Sequence, residues 1–347
     1  MYCSPPGTGS GRCQAFVACL LYLVPAAHLT GQSWQPEQLL YPALSDQKDQ
    51  KPSCGQIPST TTLVCVYETQ VRAQLHLYEI RSRDGGVTWS APVQVTAESS
   101  AEFDPYIATD SYRGKLWLLY SRNVSRGNDL VLRQKLCESC PWSDPTVIIG
   151  DGANHWDASL LVLNNGDLLA LEQLEGPGGN GAAGKIRAIR SSDGGVSWQP
   201  PSAIYDGPGE ELFPRALQKT GGVIHLMFRV NAQYPKLQIG QVWSNDNGYT
   251  WTGYSVFRYS FTQDQEFTFI GSQGGQNLTV LASIAGYLNY WTSWDNGGSW
   301  LGPYRISSVD GGEDGEMVIG CRGPILFLDD HANNVWAKRY DAYSSCQ

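Results

Sequence analysis

The sequence predicts an all-β protein, a six-bladed β-propeller whose blades are four-stranded antiparallel sheets. Three observations support this fold. An octapeptide like SRDGGVTW recurs, tryptophans follow one another at a nearly constant interval, and short β-rich runs lie between them. Sustained apolar periodicity of 3.6 residues with helix caps is missing from the sequence, which argues against a helical repeat.

The composition restricts the class of protein and the class of partner. The 347 residues include 38 Gly, 18 Tyr and 12 Trp, and the formal net charge is −9. This composition is typical of a folded protein with many short strands and turns. An acidic, aromatic-rich chain without a Lys/Arg run argues against nucleic acid or an anionic membrane as the partner.

The first 31 residues predict a secretory signal peptide, and residues 32–347 the mature domain. Arg12 precedes an apolar stretch from Ala15 to Ala27, and the small residues of PAAHLTG follow it. The stretch is too short to span a bilayer comfortably, so we predict no membrane span. A buried strand is the alternative. We expect a secreted monomer, extracellular or periplasmic.

Cysteine usage agrees with export. Six of the nine cysteines lie beyond the leader, and an even number in a secreted chain indicates disulfides. Proximity in the sequence favours the pairs Cys54–Cys65, Cys137–Cys140 and Cys321–Cys346.

Six tryptophan markers define six repeats. Four of them end the octapeptides, and two more are found by the interval and by the text that follows, as in WSDPTVI and WQPEQLL. The markers are Trp34, Trp89, Trp142, Trp198, Trp251 and Trp300, separated by 49 to 56 residues. Each full repeat contains four β-rich runs, as a propeller blade does. The last repeat has only three, so we expect WQPEQLL to supply its fourth strand and close the ring.

The octapeptide predicts a tight turn between the third and fourth strands of a blade. Its glycines permit positive φ, and its aspartate can accept hydrogen bonds from the amides of its own turn. We therefore predict structural roles for Asp84, Asp193, Asp246 and Asp295. The second repeat has CESCPW at this place, and we expect the Cys137–Cys140 bridge to stabilise that turn.

The pattern S-x-D-x-G-x-[ST]-W in six repeats resembles the sialidase superfamily of Asp-box, or BNR-repeat, proteins. The resemblance covers about residues 33–346. It implies a propeller with a glycan site at the central mouth. It does not fix the chemistry, because one fold hosts many functions.

Charged residues recur where strands are expected to meet the mouth. Carboxylates crowded there would have raised pKa values, as general acids need, and pairs of them support glycoside hydrolysis. The candidates for catalysis are Asp104, Asp157, Glu266 and Glu316. The candidates for substrate binding are Gln56, Glu68, Arg122, Glu172, Arg215, Arg229 and Arg322. The carboxylates could equally hold calcium, although no specific motif indicates it, and we predict no cofactor.

The resemblance also departs from the family pattern. Sialidases carry an Arg-Ile-Pro, where this chain has QIP with Gln56. Glu68 matches the family's glutamate and Arg229 its second arginine, but a third arginine and the nucleophilic tyrosine are missing. Arg215 and Arg322 could replace the lost arginines. Two main hypotheses for the function follow. The chain is a sialidase-like glycoside hydrolase, or it is a non-catalytic propeller that binds a glycan or a protein. A purely structural module is a third.

Overall fold

The computed structural model describes residues 34–40, 49–71, 73–97, 99–175, 184–233, 236–259, 267–274, 277–284, 286–307, 315–320, 323–331 and 334–339. Within these ranges all regular secondary structure is β-strand, as the sequence predicts. The predicted leader lies outside them, and so do Glu266, Arg322, Cys321 and Cys346.

The strands follow β1 (Gln38–Leu39) in units that we number in chain order. Unit one contains β2 (Asp49–Gln56), β3 (Leu63–Val71), β4 (Gln74–Ser82) and β5 (Val93–Gln94). Unit two contains β6 (Glu102–Asp110), β7 (Lys115–Asn123), β8 (Asn128–Lys135) and β9 (Thr146–Ile149). Unit three contains β10 (Asn154–Val162), β11 (Leu168–Glu175), β12 (Lys185–Ser191) and β13 (Ser202–Ala203).

The C-terminal half repeats this order. Unit four contains β14 (Glu211–Gln218), β15 (Ile224–Gln233), β16 (Lys236–Ser244) and β17 (Thr252–Tyr259). Unit five contains β18 (Phe267–Gly274), β19 (Asn277–Ile284), β20 (Tyr287–Ser293) and β21 (Leu301–Arg305). Unit six contains β22 (Glu316–Gly320), β23 (Gly323–His331) and β24 (Asn334–Arg339).

Within each unit, successive strands pair antiparallel. Units two and three share one sheet through a single parallel pair, Asn128 with Asn154. In unit six the fourth strand comes from the N-terminal segment, because β1 pairs antiparallel with β24. The first strand of each unit contacts the first strand of the next, and β2 contacts β22.

The hydrophobic core lies between neighbouring units. Side chains alternate across a strand, so Leu63 and Cys65 of β3 pack toward Val335 of unit six, whereas Val64 and Val66 pack toward unit two. All four are almost completely buried. A side chain of this kind contributes about 1.5–3 kcal/mol when it is fully buried. This explains why second strands read as continuous apolar runs.

The octapeptides, which we call boxes, form turns at the edge where third strands end. Asp84 accepts hydrogen bonds from the amides of Val87 and Thr88 at 3.0 and 2.9 Å and from both hydroxyls of its box. Equivalent bonds reach Asp193, Asp246 and Asp295. These hydrogen bonds lower the pKa of Asp246 to about 2, although burial opposes them. Each box carboxylate thus accepts hydrogen bonds from its own turn.

Two predicted disulfides lie within the described residues, and both form. Cys54–Cys65 joins β2 to β3, and Cys137–Cys140 closes the turn that replaces the box in unit two. The third predicted pair lies outside the described residues. Among those residues, no helix is long and apolar enough to cross a membrane.

Candidate functional site

Among the described residues, four first strands carry a bulge in which a residue other than glycine has positive φ. The residues are Lys51 at 49°, Asp104 at 54°, Asp157 at 44° and Phe213 at 55°. In each strand the pairing with the second strand shifts register at this point. A left-handed conformation costs about 1–2 kcal/mol per residue and persists only where the surroundings hold it.

Side chains from the preceding unit hold these bulges. Glu68 accepts a hydrogen bond from the amide of Asp104 at 2.6 Å, and Asp104 in turn accepts one from the amide of Asp157 at 3.2 Å. Gln173 accepts a bond from the amide of Phe213 at 3.3 Å. The bulges of successive units are therefore fixed relative to one another.

Lys51 joins two of the bulges. Its ammonium contacts the carboxylate of Asp104 and lies 3.4 Å from Oδ1 of Asp157. The side chain of Asp104 is 4% exposed and that of Asp157 is 12% exposed. A cation between two carboxylates offsets part of the cost of burying them. Asp157 is the more exposed of the two carboxylates.

Two glutamates near these bulges have raised pKa values. Burial raises the pKa of Glu68 to about 7; the charge of Lys51 opposes the shift and that of Asp104 adds to it. Burial also raises the pKa of Glu316 to about 8, against hydrogen bonds from Ser53 and from the amide of Cys54. Glu68 is buried, but Glu316 is partly exposed. At neutral pH Glu316 is therefore mostly protonated.

Arg215 and Tyr106 complete the group. Arg215 Nη1 donates to the carbonyl of Asp157 at 2.8 Å, and its guanidinium lies 5.6 Å from the centre of the Tyr106 ring. Burial and the nearby Glu316 raise the pKa of Tyr106 to about 12, so its phenol stays protonated. Together with Lys51, Glu68, Asp104, Asp157 and Glu316 these residues form what we call the carboxylate cluster.

The other residues that the sequence predicts for the site do not belong to the carboxylate cluster. Gln56 does not begin its strand: it ends β2 and pairs with Leu63, at the edge where the boxes lie. Arg122 bonds to Asp129 at 3.0 Å. Arg229 lies over the ring of Phe213, with 4.7 Å to its centre. Glu266 and Arg322 fall outside the described residues.

Glu172 belongs to a separate buried network. It accepts from Arg187 Nε at 2.8 Å and contacts His155 Nδ1 at 2.5 Å, and both Glu172 and His155 have no exposed surface. The second ring nitrogen of His155 lies 3.1 Å from Asp151. Burial opposes protonation, but the bonds to Glu172 and Asp151 outweigh it and raise the pKa of His155. This network joins β10, β11 and β12 of unit three.

Lys51 and Tyr106 are the members of the cluster that the sequence reasoning did not select. A signal for Lys51 is present in the sequence. The bulge residue precedes proline in three of the four strands, as KP, DP and FP. In unit three the bulge residue Asp157 is followed by alanine instead. Among the described residues no group of three or more His, Cys, Asp or Glu has a geometry suited to a metal ion.

Comparison with known proteins agrees at the level of the fold. No protein-family model and no curated protein sequence matches the chain. A Penicillium chrysogenum α-L-arabinanase structure matches with a TM-score of 0.66 at 17% identity, covering 89% of this chain and 98% of the arabinanase. The Hadza microbial sialidase Hz136 matches with a TM-score of 0.65 at 16% identity, covering 84% of this chain and 65% of that one.

A third solved structure extends the likeness. The NanB sialidase from Streptococcus pneumoniae matches with a TM-score of 0.64 at 12% identity, covering 90% of this chain and 71% of that one. Identities this low establish a shared fold. The resemblance to the sialidase superfamily is thereby confirmed as a resemblance of fold.

Proposed function

We propose that this chain, which shares the fold of sialidases and of an arabinanase, is a secreted six-bladed propeller that hydrolyses a glycosidic bond at the carboxylate cluster. In this proposal the six units are the blades. The contacts of β1 with β24 and of β2 with β22 support a closed ring. The two disulfides support export.

One observation supports the proposal that the chain is an enzyme. Carboxyl groups from four different units, Glu68, Asp104, Asp157 and Glu316, lie around Lys51 and Arg215. Strained bulges present two of them, and strain of this kind clusters at functional sites.

The cluster contains the two groups that glycoside hydrolysis needs, a protonated acid and an ionised carboxylate. Glu316, partly exposed and with its pKa near 8, is the proton donor to the leaving oxygen. Asp157, ion-paired with Lys51 and also accessible, is the carboxylate that attacks the sugar or activates water. Glu68 and Asp104 position the bulges, since both are almost completely buried.

The same residues favour a neutral sugar as substrate. An anionic sugar needs cations that are free to bind its carboxylate. Lys51 is paired with two aspartates, and Arg122 and Arg187 are paired with Asp129 and Glu172. Arg215 makes no ion pair with any other described residue, but it lies among several carboxyl groups, which disfavour an anionic sugar.

Turnover by the purified mature protein tests this proposal. We would compare 4-methylumbelliferyl α-L-arabinofuranoside, β-D-galactoside and α-sialoside from acidic to neutral pH. Release from a neutral sugar is expected, and Asp157→Asn or Glu316→Gln should reduce kcat about 10²–10⁴-fold. Release from the sialoside alone would contradict the neutral-sugar assignment and direct attention to Arg215. Lys185→Gln, outside the cluster, is the matched control.

A non-catalytic, glycan-binding propeller is the second candidate. It is favoured by Lys51, whose ammonium occupies both aspartates and leaves fewer acceptor atoms for a reaction. Saturable binding of a glycan without any product, unchanged by Glu316→Gln, would support this candidate over the hydrolase.

A further inference from the structure

A cavity of about 290 Å³ lies where units four and five meet. Its walls include Phe257 of β17, Trp291 of β20 and Trp300, the marker tryptophan of unit five. It lies beside the box turn of unit five, whereas the carboxylate cluster lies at the edge where first strands begin. The two sites are therefore at opposite edges of the sheets. The volume is close to the lower limit of small-ligand sites, about 300 Å³.

The sequence shows why the cavity is open at this junction. In the box of unit five, Gly298 occupies the position where the other boxes have Val87, Val196 and Tyr249. Val196 and Tyr249 are 82% and 60% exposed, so side chains at this position stand on the surface beside the turn. Gly298 lines the cavity, and the surface beside it lacks the side chain that the other boxes carry at this position.

A second glycine shapes the interior. Gly302 has a φ of 129°, and a Cβ at this position would lie 3.0 Å from Cδ1 of Trp291 and 2.8 Å from the carbonyl of Tyr290. Only glycine therefore allows β21 to approach the tryptophan so closely. The ring of Phe257 stands edge-on to both tryptophans, at 78° to Trp291 and 80° to Trp300.

Gln241 supplies a fixed polar group in this aromatic wall. Its amide oxygen lies 2.9 Å from Nε2 of His225, and its amide nitrogen donates to the hydroxyl of Ser255 at 3.1 Å. Burial lowers the pKa of His225 to about 4, so the imidazole is neutral and donates to the amide oxygen. The second amide hydrogen of Gln241 has no partner in these two bonds and can donate to a ligand hydroxyl.

The described lining of the cavity is uncharged. No charged side chain among the described residues lines it. Asp295, in the adjacent turn, is occupied by the hydroxyls of Ser293 and Ser299, and Lys219 donates to the carbonyl of Asn296 at 2.6 Å. Burying an ion without a countercharge is costly, so an anionic ligand is disfavoured.

We propose that this cavity is a second, non-catalytic binding site that takes one neutral sugar residue of a glycan chain. The partly buried rings of Phe257 and Trp300 suit the apolar C–H faces of a sugar ring, and a fixed amide suits its hydroxyls. The site goes beyond the proposed hydrolysis, since it shares no residue with the carboxylate cluster. It would hold the protein on a polymer through a contact separate from the reacting bond.

Calorimetric titration of the full protein with arabinohexaose, xylohexaose and cellohexaose tests the proposal, with 3′-sialyllactose as the anionic probe. Glu316→Gln in the background stops turnover during the titration. The test variant is Gly298→Tyr, which introduces the residue that the box of unit four carries at Tyr249. The matched control is Val196→Tyr, the same change at the same position of another box.

We expect at least one neutral hexasaccharide to bind, and its affinity to fall at least about tenfold in Gly298→Tyr but not in Val196→Tyr. Gln241→Leu should weaken the same interaction, and 3′-sialyllactose should not bind to this site in any variant. Equal affinities in Gly298→Tyr and the control overturn the proposal, and so does the failure of all three hexasaccharides to bind at millimolar concentration. In the background with Glu316 intact, turnover of the small fluorogenic glycosides should be unchanged by Gly298→Tyr, which separates this site from the proposed active site.

Discussion

Glu316 accepts a hydrogen bond from the backbone amide of Cys54 at 3.3 Å, although 262 positions separate the two residues. The bond joins the first strand of unit six to the first strand of unit one. It also places a carboxyl group with a pKa of about 8 beside a disulfide-bonded strand. Protonation of Glu316 is therefore linked to the contact between the two ends of the fold.

Stability should fall as the pH rises toward 8, and Glu316→Gln should reduce this dependence. The pKa of Glu316 is higher in the folded chain than its ordinary value of 4.5, so the folded state holds the extra proton between these limits. The free energy of unfolding is then greatest below about pH 4.5 with respect to this group and declines by roughly 5 kcal/mol at most as the pH rises from there through the folded pKa of about 8. Urea unfolding at several pH values measures the difference. Parallel curves for wild type and variant would contradict the assignment.

Lys51→Met should destabilise the chain by about 1–3 kcal/mol, because it leaves the carboxylates of Asp104 and Asp157 without their shared cation. The estimate is below the value for a fully buried pair, since the Lys51 side chain is 29% exposed. Lys51→Arg keeps the charge and serves as the control. Thermal and urea unfolding provide the measurement. An unchanged midpoint for Lys51→Met would show that the aspartates are compensated in another way.

Asp246→Ala should lower stability by about 1–2 kcal/mol and leave kcat of the folded protein unchanged. The substitution leaves the amide and hydroxyl of Thr250 without their acceptor. Because its pKa is lowered from 3.8 to about 2, this carboxylate contributes stability above pH 3.8 and loses that contribution as the pH falls toward 2. Unfolding curves and turnover of the same preparation test both parts. A selective loss of kcat would give the box a catalytic role and contradict our interpretation.

Removing residues 34–40 should lower the cooperativity of unfolding and expose unit six to proteolysis. Without β1, the backbone of β24 loses a partner strand and becomes an open sheet edge. Limited proteolysis followed by mass spectrometry locates the first cleavages. First cuts in units two or three, instead of in unit six, would contradict the expected role of the N-terminal strand.

Much of the fold could be predicted from residues that face the core or form turns. The apolar runs of β3, β7 and β11 and the glycines of the boxes are consequences of burial and of positive φ, so they are legible in a single sequence. The tryptophan interval then gives the units. The outer strands β5 and β13 are only two residues long, and the sequence overestimates them.

The candidate site was less predictable because its strands begin with polar residues. β2 starts at Asp49 in a run that lacks an apolar signal, so the sequence alone does not show that the strand ends at Gln56 instead of beginning there. Asp49 and Ser53 are buried by neighbouring polar groups, not by a hydrophobic core. The role of Lys51 depends on a bulge that brings it between two later units. Such a contact has no local periodicity.

The pairing of β1 with β24 also sets an order of events during synthesis. The ribosome completes Gln38 roughly 300 residues before its partner Ala337. At typical elongation rates this interval is about 15–60 s, during which the N-terminal segment cannot reach its place. The first strand of the nascent chain therefore stays unpaired during this interval. Because this strand is only two residues long and half polar, it is a poor template for pairing with other chains.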